Sequence, residues 1–143
     1  MKAKDIMTKN VAYVSPSTPV IEAAQLMQKH NVGSIPVMES DGIAGIVTDR
    51  DIVVRNVAHG KSAYDTPVSD VMTSQVITVT PDMDMDEVTE IMSRQQIRRV
   101  PVMENKKIVG MVALGDIATN PRFDIEASDA LAEISKPSRP VNM

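Results

Sequence analysis

The 143 residues carry 15 Lys and Arg against 19 Asp and Glu, a formal charge of -4, with 43% hydrophobic and only 2% aromatic content. That much apolar chain suits one compact domain with a real core, while an acidic surface poor in stacking rings excludes a general nucleic-acid binder. No cysteine is present, which removes disulfides, thiolate nucleophiles and sulfur-ligated metals.

The start, Met1-Lys2-Ala3-Lys4-Asp5, lacks the apolar core of a signal peptide, and no apolar run approaches the roughly 18 residues of a membrane span. The expectation is a cytoplasmic protein with no membrane partner.

Sliding the sequence on itself by 65 residues aligns Asp5-Ile6-Met7-Thr8 with Asp70-Val71-Met72-Thr73 and holds without a gap to Ile52 against Ile117. Val14 meets Val79, Pro16 meets Pro81, Met27 meets Met92, Gly45 meets Gly110, and Pro36-Val37-Met38-Glu39 meets Pro101-Val102-Met103-Glu104. One unit has been copied. Two copies are too few for a solenoid, so the expected arrangement is a pair packed about a pseudo-twofold axis. The boundaries read as repeat 1 over 1–58, a linker over 59–68, repeat 2 over 69–120 and an extension over 121–143.

In chain order, each repeat opens with a short extended segment, 11–14 or 76–79, closed by Ser15-Pro16 or Thr80-Pro81. A helix follows. In the first repeat Thr18 is the expected N-cap and Pro19 the first helical residue, with Val20, Ala23, Ala24 and Met27 on one face. In the second, Asp84 and Glu87 form the capping pattern and Met85, Val88, Ile91 and Met92 the face. Next come a strand over 32–38 or 97–103, whose proline indicates an edge or irregular position, and a tight turn at Ser40-Asp41-Gly42 or Asn105-Lys106-Lys107. The strand after it, 43–47 or 108–112, runs into a last helix. The fold class is α/β (α+β layered), β-α-β-β-α twice. Beyond Ile117, Asn120-Pro121 stops the helix, a short helix is expected around 128–134, and 137–143 reads as a frayed tail.

The chemistry concentrates at the strand-to-helix junction Gly45-Ile46-Val47-Thr48-Asp49-Arg50-Asp51. Thr48 and Asp51 have the spacing of a capping box, which by itself accounts for both side chains. Alternatively, Asp51 accepts two hydrogen bonds from a vicinal diol such as a ribose, and Thr48 contacts a neighbouring phosphate or hydroxyl.

The duplicated β-α-β-β-α pattern, the Pro-Val in the middle strand and the junction G-h-h-T-x-x-D at residues 45–51 resemble tandem cystathionine β-synthase (CBS) domains, the Bateman module, over residues 1 to 120. The layout is also similar to stand-alone bacterial CBS-pair proteins of the hypoxic-response type. This resemblance implies a regulatory module that binds an adenosine-containing ligand of the AMP, ADP or ATP class between its repeats, forms a homodimer and signals to an unknown protein partner. By the same resemblance Asp51 holds the ribose hydroxyls with Thr48 beside it, Arg98 and Arg99 meet the phosphates, and Val76 and Ile77 lie against the adenine. The copied site has Asp116 but Ala113 in place of the threonine, and Gly33-Ser34 in place of the arginines. One competent site and one weak site, with Asp116 and Ser34, are therefore expected.

Competing readings stand beside these. Arg98 and Arg99 also suit a solvated basic patch on an edge strand, where neighbouring side chains point to opposite faces. The methionines are core filling or, for Met27 and Met92, an adaptable dimer face. His30 and His59 have no companions for a metal site, Gly60-Lys61-Ser62 lacks the glycine of a phosphate loop at Arg55, and no nucleophile, base and orienter can be named. No cofactor, metal or enzyme activity is expected. The alternative to ligand sensing is a ligand-free dimerisation module.

Overall fold

A computed structural model describes residues 1–119 and 132–134. The elements run α1 (Ala3–Ile6), α2 (Val20–His30), β1 (Ser34–Glu39), β2 (Gly42–Thr48), α3 (Asp49–Arg55), α4 (Met85–Gln95), β3 (Arg99–Glu104), β4 (Lys107–Ala113) and α5 (Leu114–Ala118). β1 pairs antiparallel with β2, and β3 with β4. The layered α/β plan is present in both repeats. α5 ends at Ala118, and 132–134 are helical; the rest of the expected terminal helix and the tail at 137–143 lie outside the described residues.

The chain divides into two compact units. One, the Asp51 unit, gathers Val11–Ile77 and Asn105–Ile108; the other, the Asp116 unit, gathers Met1–Asn10, Thr78–Glu104 and the chain from Val109 on. The first ten residues thus pack with the second repeat. Ala3 is fully buried among Val79, Met85, Val88 and Met92. Val68 and Val71, which lead into the second repeat, are buried with Val14, Val20, Ile35 and Val37 of the first.

The backbone repeats this exchange bond for bond. Met85 N donates to the Met1 carbonyl at 2.9 Å, and Val20 N donates to the Thr66 carbonyl at 2.8 Å. Ala3 N donates to Met83 O at 2.9 Å, and its counterpart Val68 N donates to Thr18 O at 2.8 Å. A helix start leaves N–H groups without intrahelical partners, and here main-chain carbonyls of the other repeat's leading segment receive them.

That arrangement corrects three local expectations. Thr18 is not the N-cap of α2: Pro19 is, and Thr18 Oγ1 instead accepts from Ser15 N at 3.1 Å. At α4, Asp84 caps through Asp86 N at 3.0 Å rather than in a box with Glu87. The opening segments 11–14 and 76–79 shrink to single parallel bridges, Val14 to Val37 and Val79 to Val102.

The prolines fit because those bridges ask nothing of them. Val14 N donates to Pro36 O at 3.0 Å and Met38 N to Val14 O at 2.8 Å, so the missing proline N–H falls between the bonds. A bulge between Val37 and Met38 adds the expected irregularity. Met27 and Met92 are buried in the two cores, which overturns the adaptable methionine face: a side chain enclosed in its own unit has no surface to offer.

Candidate functional site

β2 ends where its last residue turns into a cap. Thr48 has extended φ and ψ of -112° and 163°, and its Oγ1 accepts from Asp51 N at 3.1 Å. Asp51 Oδ2 accepts from Thr48 N at 2.9 Å in return. The capping box is therefore real, and it occupies one oxygen of the carboxylate. The other, Oδ1, lies 3.9 Å from Arg55 Nε one turn along α3, and the Asp51 side chain retains 13% exposure.

Gly45 makes the junction possible. A Cβ there would stand 2.7 Å from the Thr73 carbonyl oxygen, because Ile46 and Thr73 exchange both backbone hydrogen bonds, at 3.0 and 2.8 Å. The chain just ahead of Val76 and Ile77 is thereby strapped across β2. Val76 is half-buried and Ile77 exposed, and both belong to the unit that holds Thr48 and Asp51.

The copied junction keeps the geometry and loses the hydroxyl. Asp116 Oδ2 accepts from Ala113 N at 3.1 Å, and Ala113 has no side-chain oxygen to return the bond. Ser34 is buried at 8% exposure, whereas Arg99, its counterpart, is exposed, as is Arg98. Position 33 has a local reason to be glycine, since a Cβ would meet Asp49 Oδ2 at 3.1 Å. At the equivalent place Arg98 faces Leu114, whose N donates to the Arg98 carbonyl at 2.8 Å, as Asp49 N does to Gly33 O at 3.0 Å.

The structure thus brings Thr48 and Asp51 into contact, sets Val76 and Ile77 in their unit, and sets Arg98, Arg99 and Asp116 in the other. Two surface depressions in the Asp51 unit, of 930 and 480 Å³, both adjoin Tyr13 and Met38, and neither is lined by Thr48, Asp51, Val76 or Ile77. Sequence reasoning missed Arg55, whose Nη1 donates to the carbonyls of Val71 and Met72, each at 3.2 Å. Its spacing of four from Asp51 was the available signal. Among the described residues no group of three or more His, Cys, Asp or Glu is arranged to hold a metal ion, and no helix is long and apolar enough to cross a membrane.

Comparison with known proteins agrees with the duplicated fold. The family described as CBS domain matches residues 3–56 and 68–121. The chain is 45% identical over 132 residues to the CBS domain-containing protein YhcV of Bacillus subtilis, covering 92% of this chain and 94% of that one. The crystal structure of Hypoxic Response Protein I with two coordinated zinc ions aligns with a TM-score of 0.76 at 32% identity, over 85% of this chain and all of that one. The CBS domain pair of protein MJ0100, in complex with 5′-methylthioadenosine and S-adenosyl-L-methionine, aligns with a TM-score of 0.73 at 31% identity, over 82% of this chain and 93% of that one.

Proposed function

We propose that this chain, which belongs to the CBS domain family and consists of a pair of such domains, is a regulatory module that binds an adenosine-containing ligand and signals its presence to a protein partner. The observation that carries the reading is the half-used carboxylate of Asp51: capping engages Oδ2, and Oδ1 remains beside a cation as an acceptor. A ribose diol needs such an oxygen, held in a fixed direction. The MJ0100 pair, a neighbour with the same architecture, is complexed with two adenosyl compounds, which supports the ligand class.

In this reading Asp51 receives the ribose hydroxyls, Thr48 stands beside it, and Val76 and Ile77 offer apolar contact and main-chain groups to the adenine. Arg98 and Arg99, both exposed, carry the phosphates of an AMP, ADP or ATP, because a guanidinium fork donates two parallel hydrogen bonds to a phosphate. Asp116 and Ser34 belong in this reading to a weaker second site, with Ala113 in place of the threonine and Gly33-Ser34 in place of the arginines. The module regulates and does not catalyse.

A homodimer is proposed on a different surface from the methionines. Val53, Val54 and Val57 are 58, 46 and 62% exposed on α3 and the turn after it, and these outward-facing apolar side chains are the ones proposed to meet a second copy.

Thermal shift tests the ligand reading. AMP, ADP or ATP should raise the melting temperature in a saturable way, by the equivalent of about 2.7 kcal/mol at 100 times the dissociation constant. Asp51→Ala should abolish the shift, Asp116→Ala should leave it, and a 2′-deoxynucleotide should bind more weakly. A dimer unaffected by any adenosyl compound would instead support a module that only associates.

A further inference from the structure

α3 carries the Asp51 carboxylate, yet none of its residues is buried. Its two valines face outward at 58 and 46% exposure, and Ile52 is only partly packed against the core. A seven-residue helix is too short to hold itself. Something else must fix it against the segment that follows the first repeat.

Arg55 meets that need. Its Nη1 reaches the Val71 and Met72 carbonyls, both at 3.2 Å, while its Nε stands 3.9 Å from Asp51 Oδ1. The next residue, Thr73, is paired with Ile46 of β2 through two main-chain bonds, and Val76 and Ile77 follow three and four residues on. One guanidinium therefore joins the carboxylate proposed for the ribose to the segment proposed for the adenine, entirely within the Asp51 unit. In the second repeat the equivalent sequence position holds Asn120, a residue type without charge.

We propose that Arg55 is the positioning residue of the ligand site: it holds the chain at 71–77 in register with Asp51 and passes occupancy of the carboxylate on to that segment. This rests on the ligand reading above. When a ribose hydroxyl donates to Asp51 Oδ1, the carboxylate and Arg55 are drawn into one network, and 71–77 is ordered with them.

Hydrogen exchange on the full chain, with and without adenosine or AMP, separates the outcomes. Without ligand, Arg55→Met should raise exchange in peptides over 71–77 by about tenfold while leaving α4 and β3 as in the wild type. AMP should protect 71–77 in the wild type and fail to do so in Arg55→Met, whose affinity should fall about tenfold. Arg55→Lys should restore charge near Asp51 but not the double carbonyl contact, recovering part of the affinity and little of the protection. In Asp51→Asn, adding Arg55→Met should cost less further affinity than it does in the wild type, because only the carbonyl tether is left to lose, a non-additivity that general destabilisation does not produce. Unchanged ligand-free exchange in Arg55→Met overturns the tether, and raised exchange with unaltered AMP affinity overturns the positioning role while the proposed function stands. Absence of any adenosyl binding by the wild-type chain overturns the proposed function instead, and the ligand-free exchange still decides whether Arg55 is the tether.

Discussion

The Met1 carbonyl accepts the amide of Met85 at 2.9 Å, so the first residue of one repeat caps the first turn of the other repeat's helix. Thr66 and Val20 repeat the bond at 2.8 Å. Each leading segment also delivers apolar side chains: Ala3 is fully buried, and Ile6 and Met7 pack on the same core. Deleting residues 1–7 removes both contributions. The expected loss is on the order of 3 kcal/mol, from two partly buried side chains and a helix cap, read as a lower denaturation midpoint in urea. Exchange should rise first in α4, and a deletion variant with wild-type protection there would show that the cap is dispensable.

Gly45 and Gly110 occupy equivalent places under different ceilings. Above Gly45 stand the Thr73 carbonyl oxygen and Met72 Sδ, each 2.7 Å from an added Cβ. The three atoms nearest an added Cβ at Gly110 all belong to the Met7 side chain, although Thr8 and Met111 form the same two-bond bridge there, and a thioether swings aside more readily than a backbone carbonyl. Gly45→Ala should cost about 2 kcal/mol, in the range of overpacked cores, and Gly110→Ala distinctly less. Matched thermal melts of the two variants check the order; equal losses would mean that the strap at Thr73 moves as freely as the methionine.

What could be read beforehand, and what could not, follows from where each signal resides. The offset of 65 residues, the turns and the Thr48–Asp51 box are written in side chains, and side chains are what a sequence displays. The exchange of leading segments is written in carbonyls, which every residue has, so nothing distinguished Met1 or Thr66 as a cap. Thr18 was misassigned for the same reason: with Thr66 O already serving Val20 N, the threonine is free to bond Ser15. Met27 and Met92 show the limit of periodicity, which marks an apolar face without saying whether the core or a second molecule covers it. Arg55 was visible only as half of a pair spaced by four; its carbonyl partners lie 16 and 17 residues away.

Lys4 and Asp82 tie the leading segment to the approach of α4 by an ion pair of 3.0 Å. Hydrogen bonding to Asp82 raises the Lys4 ammonium above its ordinary 10.5, and the same contact lowers the Asp82 carboxyl below its ordinary 3.8. The carboxylate's contribution is complete above 3.8 and is lost as pH falls through its lowered folded value; the ammonium's is complete below 10.5 and is lost as pH rises through its raised one. Both groups are exposed, so the gain is small and screened by salt. The melting-temperature difference between wild type and Asp82→Asn should be flat across the neutral range, shrink below pH 3.8, and vanish in about 1 M salt. A difference that survives the salt would point to something other than charge.

Asn56, at the end of α3, is 1% exposed, and neither its Oδ1 nor its Nδ2 has a hydrogen-bond partner among the described residues. Burying an amide unpaired is costly, and replacing it by an apolar group of similar shape relieves the cost. Asn56→Leu should therefore stabilise the chain by about 1 kcal/mol, measured by urea unfolding. A destabilised variant would show that the amide is satisfied in solution.

Thr48 and Asp51 serve two purposes, and substitution can separate them. Loss of the hydroxyl in Thr48→Ala should cost about 1 kcal/mol as a lost N-cap, whereas Thr48→Ser keeps the oxygen and should melt and bind like the wild type. Asp51→Asn keeps an oxygen that can still cap Thr48 N, so its stability should fall by less than that of Thr48→Ala. Its affinity for AMP should nevertheless fall more steeply, because a neutral amide oxygen accepts more weakly than a carboxylate and the ion pair with Arg55 is gone. Calorimetric titration beside thermal unfolding of the four proteins provides the comparison. If affinity simply followed stability across the set, Asp51 would be a cap and nothing more; if Asp51→Asn stands apart with its fold intact, the second carboxylate oxygen is what meets the ligand.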